Sequence, residues 1–191
     1  NTFHIFIHHK KETQMPNIVY IATSLDGYIA KKDGGIDWLL ELPNPEESDF
    51  GFGEFMKNID AVVMGRNTFE IVATFDIWPY NKPVFVLSTT INSVPEKLIG
   101  KVEVIKGDPL SVLKELNSHN YFNLYIDGGK TIQEFLKLNL IDEMIITQIP
   151  LLLGEGIPFF GSLAKEQKFK LKKSEVLINA LVKNHYVKIK K

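Results

Sequence analysis

A glycine followed by cations or hydroxyls, where a strand gives way to a helix, lets backbone N–H groups reach an anion. The chain has two such places. Residues 61–64 are an unbroken apolar run that reads as a strand buried on both faces, and Gly65, Arg66, Asn67 and Thr68 follow it. Residues 123–126 read as another strand, closed by Asp127, Gly128, Gly129, Lys130 and Thr131. Two helix starts converging on one sheet edge would grip the halves of a dinucleotide pyrophosphate, and Arg66 would add a two-pronged phosphate ligand. The plainer alternative, for either turn alone, is that its glycines only tighten the bend. Ser88, Thr89 and Thr90, ending a third apolar run, bring hydroxyls to the same edge, for a ribose phosphate or to cap the next segment.

For proton transfer the residue singled out is Asp49. It precedes Phe52 and Phe55, and burial against those rings would raise its pKa and keep it protonated near neutrality. The alternative is an acid that caps a helix. Other chemistries lack their residues. There is no cysteine and no Gly-x-Ser-x-Gly, and the histidines are in the first residues or isolated at His119 and His185. Neither a three-glycine dinucleotide fingerprint nor a complete Gly-x-x-x-x-Gly-Lys-Ser/Thr phosphate loop occurs.

The elements that must position these groups alternate strand and helix: strands over 17–22, 61–64, 83–87, 102–105, 123–126 and 143–149. Helices are expected from the acids at 46–49, after Gly65, from the Asp108-Pro109 start, and over 130–138. From residue 168 the pattern turns to alternation, an antiparallel hairpin. This is an α/β sheet, mostly parallel, with antiparallel strands added last. No repeat or linker divides it. Residues 15–191 are expected to form a single domain starting at Met15. Residues 1–14 are read as a leader or upstream extension, where His4, His8 and His9 lack a carboxylate to complete a metal site.

At 191 residues, 45% hydrophobic and 24% charged with a net charge of −1, the chain is an ordinary globular domain without a global field for nucleic acid. The absence of cysteine fits the reducing cytoplasm, and no apolar run approaches a membrane span. The lysine-rich end, residues 165–191, alternates with apolar residues and has no stacking platform, so it reads as a protected strand edge. That hairpin and Leu151, Leu152 and Leu153 leave the chain open to homodimerisation.

Four segments in order resemble the dihydrofolate reductase superfamily, most closely the reductase domain of the riboflavin-biosynthesis deaminase/reductase and its stand-alone relatives. They are Ser24-Leu-Asp-Gly-Tyr-Ile-Ala30, Val63-Met-Gly-Arg-Asn-Thr-Phe-Glu70, Asp127-Gly-Gly129, and Leu140-Ile-Asp-Glu143 leading to Pro150-Leu-Leu-Leu-Gly-Glu-Gly-Ile-Pro-Phe-Phe160. The resemblance implies a three-layer fold with an eight-stranded, mostly parallel sheet, NADPH as hydride donor, and a heteroaromatic substrate of pterin or pyrimidine type. By position it puts Gly65, Arg66, Asn67, Thr68, Ser88 and Thr89 at the adenosine phosphates. Gly128, Gly129, Lys130 and Thr131 fall on the pyrophosphate side, where a strained Gly-Gly peptide is expected. Ala22 and Ile29 line the nicotinamide pocket, Trp38 sits on a mobile shielding loop, and Phe52 and Phe55 face substrate. Asp49 lies sixteen residues before Gly65, the spacing of the folate enzyme's catalytic acid from its own Gly-Arg. Asn81-Lys82-Pro83 stands where the folate enzyme has a tail-binding Arg, which argues against folate. The alternatives are a true dihydrofolate reductase or a nucleotide-binding protein of this fold without catalysis.

Overall fold

Ala61, Val62, Val63 and Met64 are completely buried, and they make up most of an inner strand of the sheet in a computed structural model of the chain. The structure describes residues 16–45, 47–178 and 180–189. The expectations for residues 1–14 with their histidines, for Met15 as the start of the fold, and for Glu46 as a helix-opening acid lie outside them.

In chain order the elements are β1 (Asn17–Ser24), β2 (Tyr28–Ala30), α1 (Asp37–Leu40), α2 (Phe52–Lys57), β3 (Ala61–Gly65), α3 (Arg66–Val72), β4 (Val84–Leu87) and β5 (Val102–Ile105). There follow α4 (Pro109–Ser118), β6 (Leu124–Asp127), α5 (Gly129–Lys137), β7 (Glu143–Ile149), β8 (Ile157–Pro158), β9 (Phe169–Leu177) and β10 (Leu181–Lys188). The main sheet runs β5-β4-β3-β6-β1-β7-β10-β9. Its first six strands pair parallel, and β10 and β9 join antiparallel, as the alternation after residue 168 predicts. From β3 the chain winds outward through α3 to β4 and β5. It then returns to β6 on the other side of β3 and winds the opposite way through α5 to β7. The order therefore reverses between β3 and β6, the point at which open α/β sheets leave a crevice.

Helices cover both faces because the inner strands have no polar side. On one face Val112, Leu116, Ile132 and Phe135 of α4 and α5 pack on Val19, Val63 and Ile126. On the other, Met56, Ile59 and Phe69 pack on Val62, Met64 and Tyr125. Fully burying a side chain such as Phe135 contributes roughly 2–3 kcal/mol, so this pairing of faces fixes where each strand end lies. Local signals set the helix starts. Asp108 accepts from the N–H groups of Leu110 and Ser111 at 3.0 and 3.3 Å, with Pro109 at the first position. α5 buries Ile132, Phe135 and Leu136 on one stripe and leaves Glu134 and Lys137 to pair in solvent at 2.8 Å.

Two local features differ from the expectation. The helix expected from residues 46–49 starts only at Phe52, because Gly51 takes a left-handed conformation (φ 86°) that breaks the turn before it. A two-stranded ribbon of β2 and β8 also appears, made of pieces too short to carry a hydrophobic period.

Candidate active site at the β3–β6 crevice

The two glycine bends meet. Met64 of β3 is in register with Asp127 of β6, so Gly65 and Gly128 leave adjacent strands side by side. A Cβ on Gly65 would come within 2.7 Å of Thr131 Oγ1, and one on Gly128 would overlap the Thr68 side chain. Each helix thus sends a threonine against the other's glycine, and α3 and α5 open next to one another with their first N–H groups toward the same crevice. Gly128 has φ 86°, which only glycine adopts readily. No cis peptide bond occurs among the described residues, so the strained Gly-Gly peptide expected here is corrected to an ordinary trans link with one left-handed glycine.

Around this centre the other expected ligands divide. Leu87 of β4 is in register with Gly65, which puts Ser88 beside Arg66. Ser88 Oγ accepts from the N–H groups of Thr90 and Ile91 at 3.1 and 3.0 Å, the capping role weighed above. Arg66 is exposed and donates to Thr90 Oγ1 at 3.4 Å, with Glu70 at 3.8 Å. Thr90, whose hydroxyl the sequence puts on this edge with those of Ser88 and Thr89, is therefore a member of this corner. Asn67, Thr89 and Lys130 are exposed on the same edge, and Thr131 is buried. Ile29 reaches the second bend, where its Cδ1 occupies the space a Gly129 side chain would need. Ala22 lies at the far end of β1, packed with Phe50 against Trp38, Ile149 and Leu181.

Trp38 needs correction. It is 6% exposed and anchors α1 onto Ile149 and Leu181, so it is a core pin and not part of a mobile loop. Its Nε1 is buried without a hydrogen-bond partner among the described residues.

Asp49 is corrected more fully. Its carboxylate is exposed and accepts from Gly51 N–H at 2.8 Å and Gly53 N–H at 2.9 Å. Those two N–H groups hold its pKa below the ordinary carboxylate value, helped by nearby Lys183. The expected direction was up. Asp49 organises the start of α2, and it is ionised at neutral pH.

The shielded acid that the chemistry called for is Asp127. It ends β6 on the α2 face, where Tyr80 donates to Oδ2 at 2.9 Å and Gly128 N–H to Oδ1 at 2.8 Å. Burial pushes its carboxyl above the ordinary value, although the hydrogen bonds from Tyr80 and the Gly128 N–H pull the other way. Burial likewise raises Tyr80 and Tyr125, with the Asp127 charge adding to both. The sequence contained one sign of this, an Asp directly before Gly-Gly at a strand end. Tyr80, forty-seven residues earlier in a segment without periodicity, gave none.

Phe52 and Phe55 are half-buried on α2, and each ring meets both Tyr20 and Tyr125. Phe52 packs against Tyr80 and Tyr125 (ring centroids 6.4 and 6.2 Å), on the Asp127 side. Phe55 stacks on Tyr20 at 4.7 Å and lines a groove of about 380 Å³ on the other flank of α2, with Ile145, Lys183 and His185 opposite. Burial, with Asp49 and Glu175 nearby, pushes the Tyr20 hydroxyl up to about 12. No group of three or more His, Cys, Asp or Glu placed to hold a metal occurs among the described residues, and no helix among them is long and apolar enough to cross a membrane.

This sheet order, with paired glycine bends at its reversal, defines an α/β domain of the dihydrofolate reductase-like fold. The chain belongs to the RibD C-terminal domain family, whose model matches residues 17–183. It is 38% identical over 174 residues to YwjB of Bacillus subtilis strain 168, a protein of uncharacterised function, covering 90% of this chain and 97% of that one. A crystal structure from Shewanella sp. PV-4, assigned provisionally to riboflavin biosynthesis, superposes with a TM-score of 0.88 at 50% identity, covering 92% of this chain and 99% of that one. Dihydrofolate reductase from Enterococcus faecalis, complexed with NADP(H), shares the fold with a TM-score of 0.62 at 20% identity, covering 93% of this chain and 98% of that one.

Proposed function

We propose that the chain is an NADPH-dependent reductase of a small heteroaromatic substrate of pyrimidine or pterin type. The observation that carries this reading is the interlock of Gly65 with Thr131 and Gly128 with Thr68, which brings two helix starts together at the sheet's reversal point. The residues present fit the nucleotide. Side-chain-free glycines allow its pyrophosphate to approach the backbone, and Arg66, Ser88 and Thr90 form a cationic, hydroxyl-rich corner for a ribose phosphate. When bound, NADPH supplies a hydride to an electrophilic C=N or C=O carbon of the substrate.

The chain's own part is orientation, exclusion of water and a proton. Ile29 and Ala22 present apolar surface on the β1 side. Asp127, rather than Asp49, is the proton reservoir, because burial favours its neutral form while two backbone N–H groups favour the ion of the solvent-facing Asp49. Tyr80, whose O–H rests on Asp127 Oδ2, turns that proton to the nitrogen or oxygen left electron-rich by the hydride, and the proton of the neutral Asp127 carboxyl then restores the phenol. Lys82, half-buried where a folate enzyme has an Arg, disfavours a glutamate-tailed substrate.

The test is direct. Titrating NADPH and NADH against protein fluorescence should give the tighter constant for NADPH. Absorbance at the nicotinamide band with dihydrofolate and with the riboflavin-pathway ribosylaminopyrimidine then asks which is reduced. Failure to bind either nucleotide at millimolar concentration would sink the reading. One observation favours a second reading, a nucleotide-binding protein without catalysis: Tyr80, Phe52 and Tyr125 fill the space above Asp127. Tight NADPH binding with no oxidation by either substrate would select it.

A further inference from the structure

Phe50 has φ 53°, a left-handed backbone that a bulky side chain rarely adopts, and Gly51 continues the bend at φ 86°. Two side chains from different strands hold it there. Tyr20 of β1 donates its O–H to the Phe50 carbonyl at 2.8 Å, and Lys183 of β10 donates an N–H to the same oxygen at 2.8 Å. Those strands lie on either side of β7, where Tyr20 is in register with Ile145 and Lys183 with Thr147. The two donors therefore reach over β7 from opposite sides. A carbonyl has two lone pairs, and side chains take both. Nothing local selects a left-handed phenylalanine, so the bend persists because distant partners over-determine it. The depth of Lys183 has the same explanation. Its side chain is 14% exposed, and pairing with Glu175 at 2.7 Å does not require that burial, since Lys173 meets the same carboxylate while largely exposed.

We propose that Lys183 and Tyr20 are positioning residues, a clamp on the Phe50 carbonyl that fixes the wall of the nicotinamide pocket at Ala22. The inference rests on the reductase reading above. Ala22 and Lys183 are both in register with Thr147, so the carbonyl is gripped at the level of Ala22 in the sheet. Ala22 and Phe50 also pack on the same cluster of Trp38, Ile149 and Leu181. A shift of the bend would draw the Phe50 ring from that cluster and remove the support behind Ala22. The other end of the nucleotide lies out of reach. Arg66, Ser88 and Thr90 follow β3 and β4, which β6 separates from β1. The clamp thus acts on the nicotinamide half of the cofactor and not on the adenosine half. Either donor alone still holds the oxygen, whereas loss of both lets the backbone relax toward an ordinary φ.

Equilibrium titrations of the full chain with NADPH, and with the adenosine bisphosphate that forms its far half, test the clamp. The variants are Tyr20→Phe, Lys183→Met and the two combined, with folding checked by circular dichroism melts. Lys183→Met leaves Glu175 paired with Lys173. Each single variant should bind NADPH within about threefold of the parent, and the double variant about tenfold or more weakly, a non-additive loss. Affinity for the adenosine bisphosphate should stay within about twofold throughout, which a general loosening of the fold would not allow. A second readout needs no nucleotide. In a Trp78→Phe background, which leaves Trp38 as the remaining indole, emission should shift to the red in the double variant alone, as water reaches the cluster. Additive losses, equal losses for both ligands, or an unmoved Trp38 emission overturns the clamp. A parent chain that binds neither ligand overturns the reductase reading, and this inference with it.

Discussion

Two aspartates stand at the ends of neighbouring pieces of structure, and their surroundings drive them opposite ways. Asp49 faces solvent at the start of α2, where two backbone N–H groups stabilise its charge. Asp127 ends β6 beneath Tyr80, where lost hydration favours its neutral form more strongly than its hydrogen bonds favour the ion. Both acids are next to a glycine-rich turn and both lie near aromatic residues in sequence. The difference is that α2 turns Asp49 outward while the β6 pleat turns Asp127 onto the sheet face that α2 covers. Closeness in sequence to aromatic rings is thus a poor measure of burial, whereas a place at the end of an inner strand is a good one.

The comparison can be broken hardest at the backbone under the buried acid. Gly128→Ala would drive a Cβ into Thr68 from a left-handed backbone, and should cost about 2–3 kcal/mol of stability. In calorimetry at a temperature where the variant is still folded, NADPH affinity should fall roughly a hundredfold. Unaltered affinity would mean that the bends do not hold the nucleotide.

Next in size is Asp127→Asn, expected to lower single-turnover hydride transfer about 10²–10³-fold while NADPH binding changes little. Its stability should also reveal the sign of the shift. The folded chain holds the Asp127 proton more tightly than the unfolded chain. The wild-type contribution is therefore greatest below the ordinary carboxylate pKa and declines as pH rises through the folded value. Denaturant midpoints of the two proteins should accordingly converge, or cross in favour of Asn, as pH rises from about 4 to 8. Parallel curves would show that Asp127 does not carry the raised pKa.

Tyr80→Phe sharpens the same contrast with a smaller effect. Turnover should drop about tenfold or more, and Asp127, having lost a donor to its ion, should titrate higher still. A carbonyl stretch assigned to protonated Asp127 by infrared difference against Asp127→Asn would read this without any substrate.

Smallest is Asp49→Asn. With the acid exposed, turnover at neutral pH should stay within about twofold. Its lowered pKa makes the ion stabilising above the ordinary value, a contribution lost as pH falls through the folded value. Only the acid limb of a melting-temperature profile should therefore distinguish the variant. A large loss of hydride transfer would return the catalytic role to Asp49.

Much of this protein is legible in one dimension. Residues 61–64 announce a buried strand because nothing polar interrupts them, residues 123–126 read as another, and both are inner strands, the second over Leu124–Asp127. Asp108-Pro109 announces a helix start through a cap that needs only neighbouring residues. The alternation after residue 168 announces the hairpin. Legibility fails where the answer depends on distant partners. Trp38 appears in the sequence as a loop aromatic, yet Ile149 and Leu181, more than a hundred residues onward, bury it. Tyr80 acquires its role from Asp127, and the bulge between His185 and Tyr186 shifts the pairing of the last strands without a glycine to mark it.

The sequence by itself determined which segments are strands, where glycine must stand, and the mostly parallel order closed by a hairpin. These follow from local sterics and from the period of apolar residues, which act over a few positions at a time. Only the tertiary structure decided that the two bends interlock and that Asp127 is the acid deprived of water. It also decided that the last hairpin gathers Glu175, Lys183, Lys173 and His185 on one face and sets Val176, Val182 and Leu171 on the other. Burial and convergence are properties of residues from different elements meeting in space, and a dielectric environment has no representation along the chain.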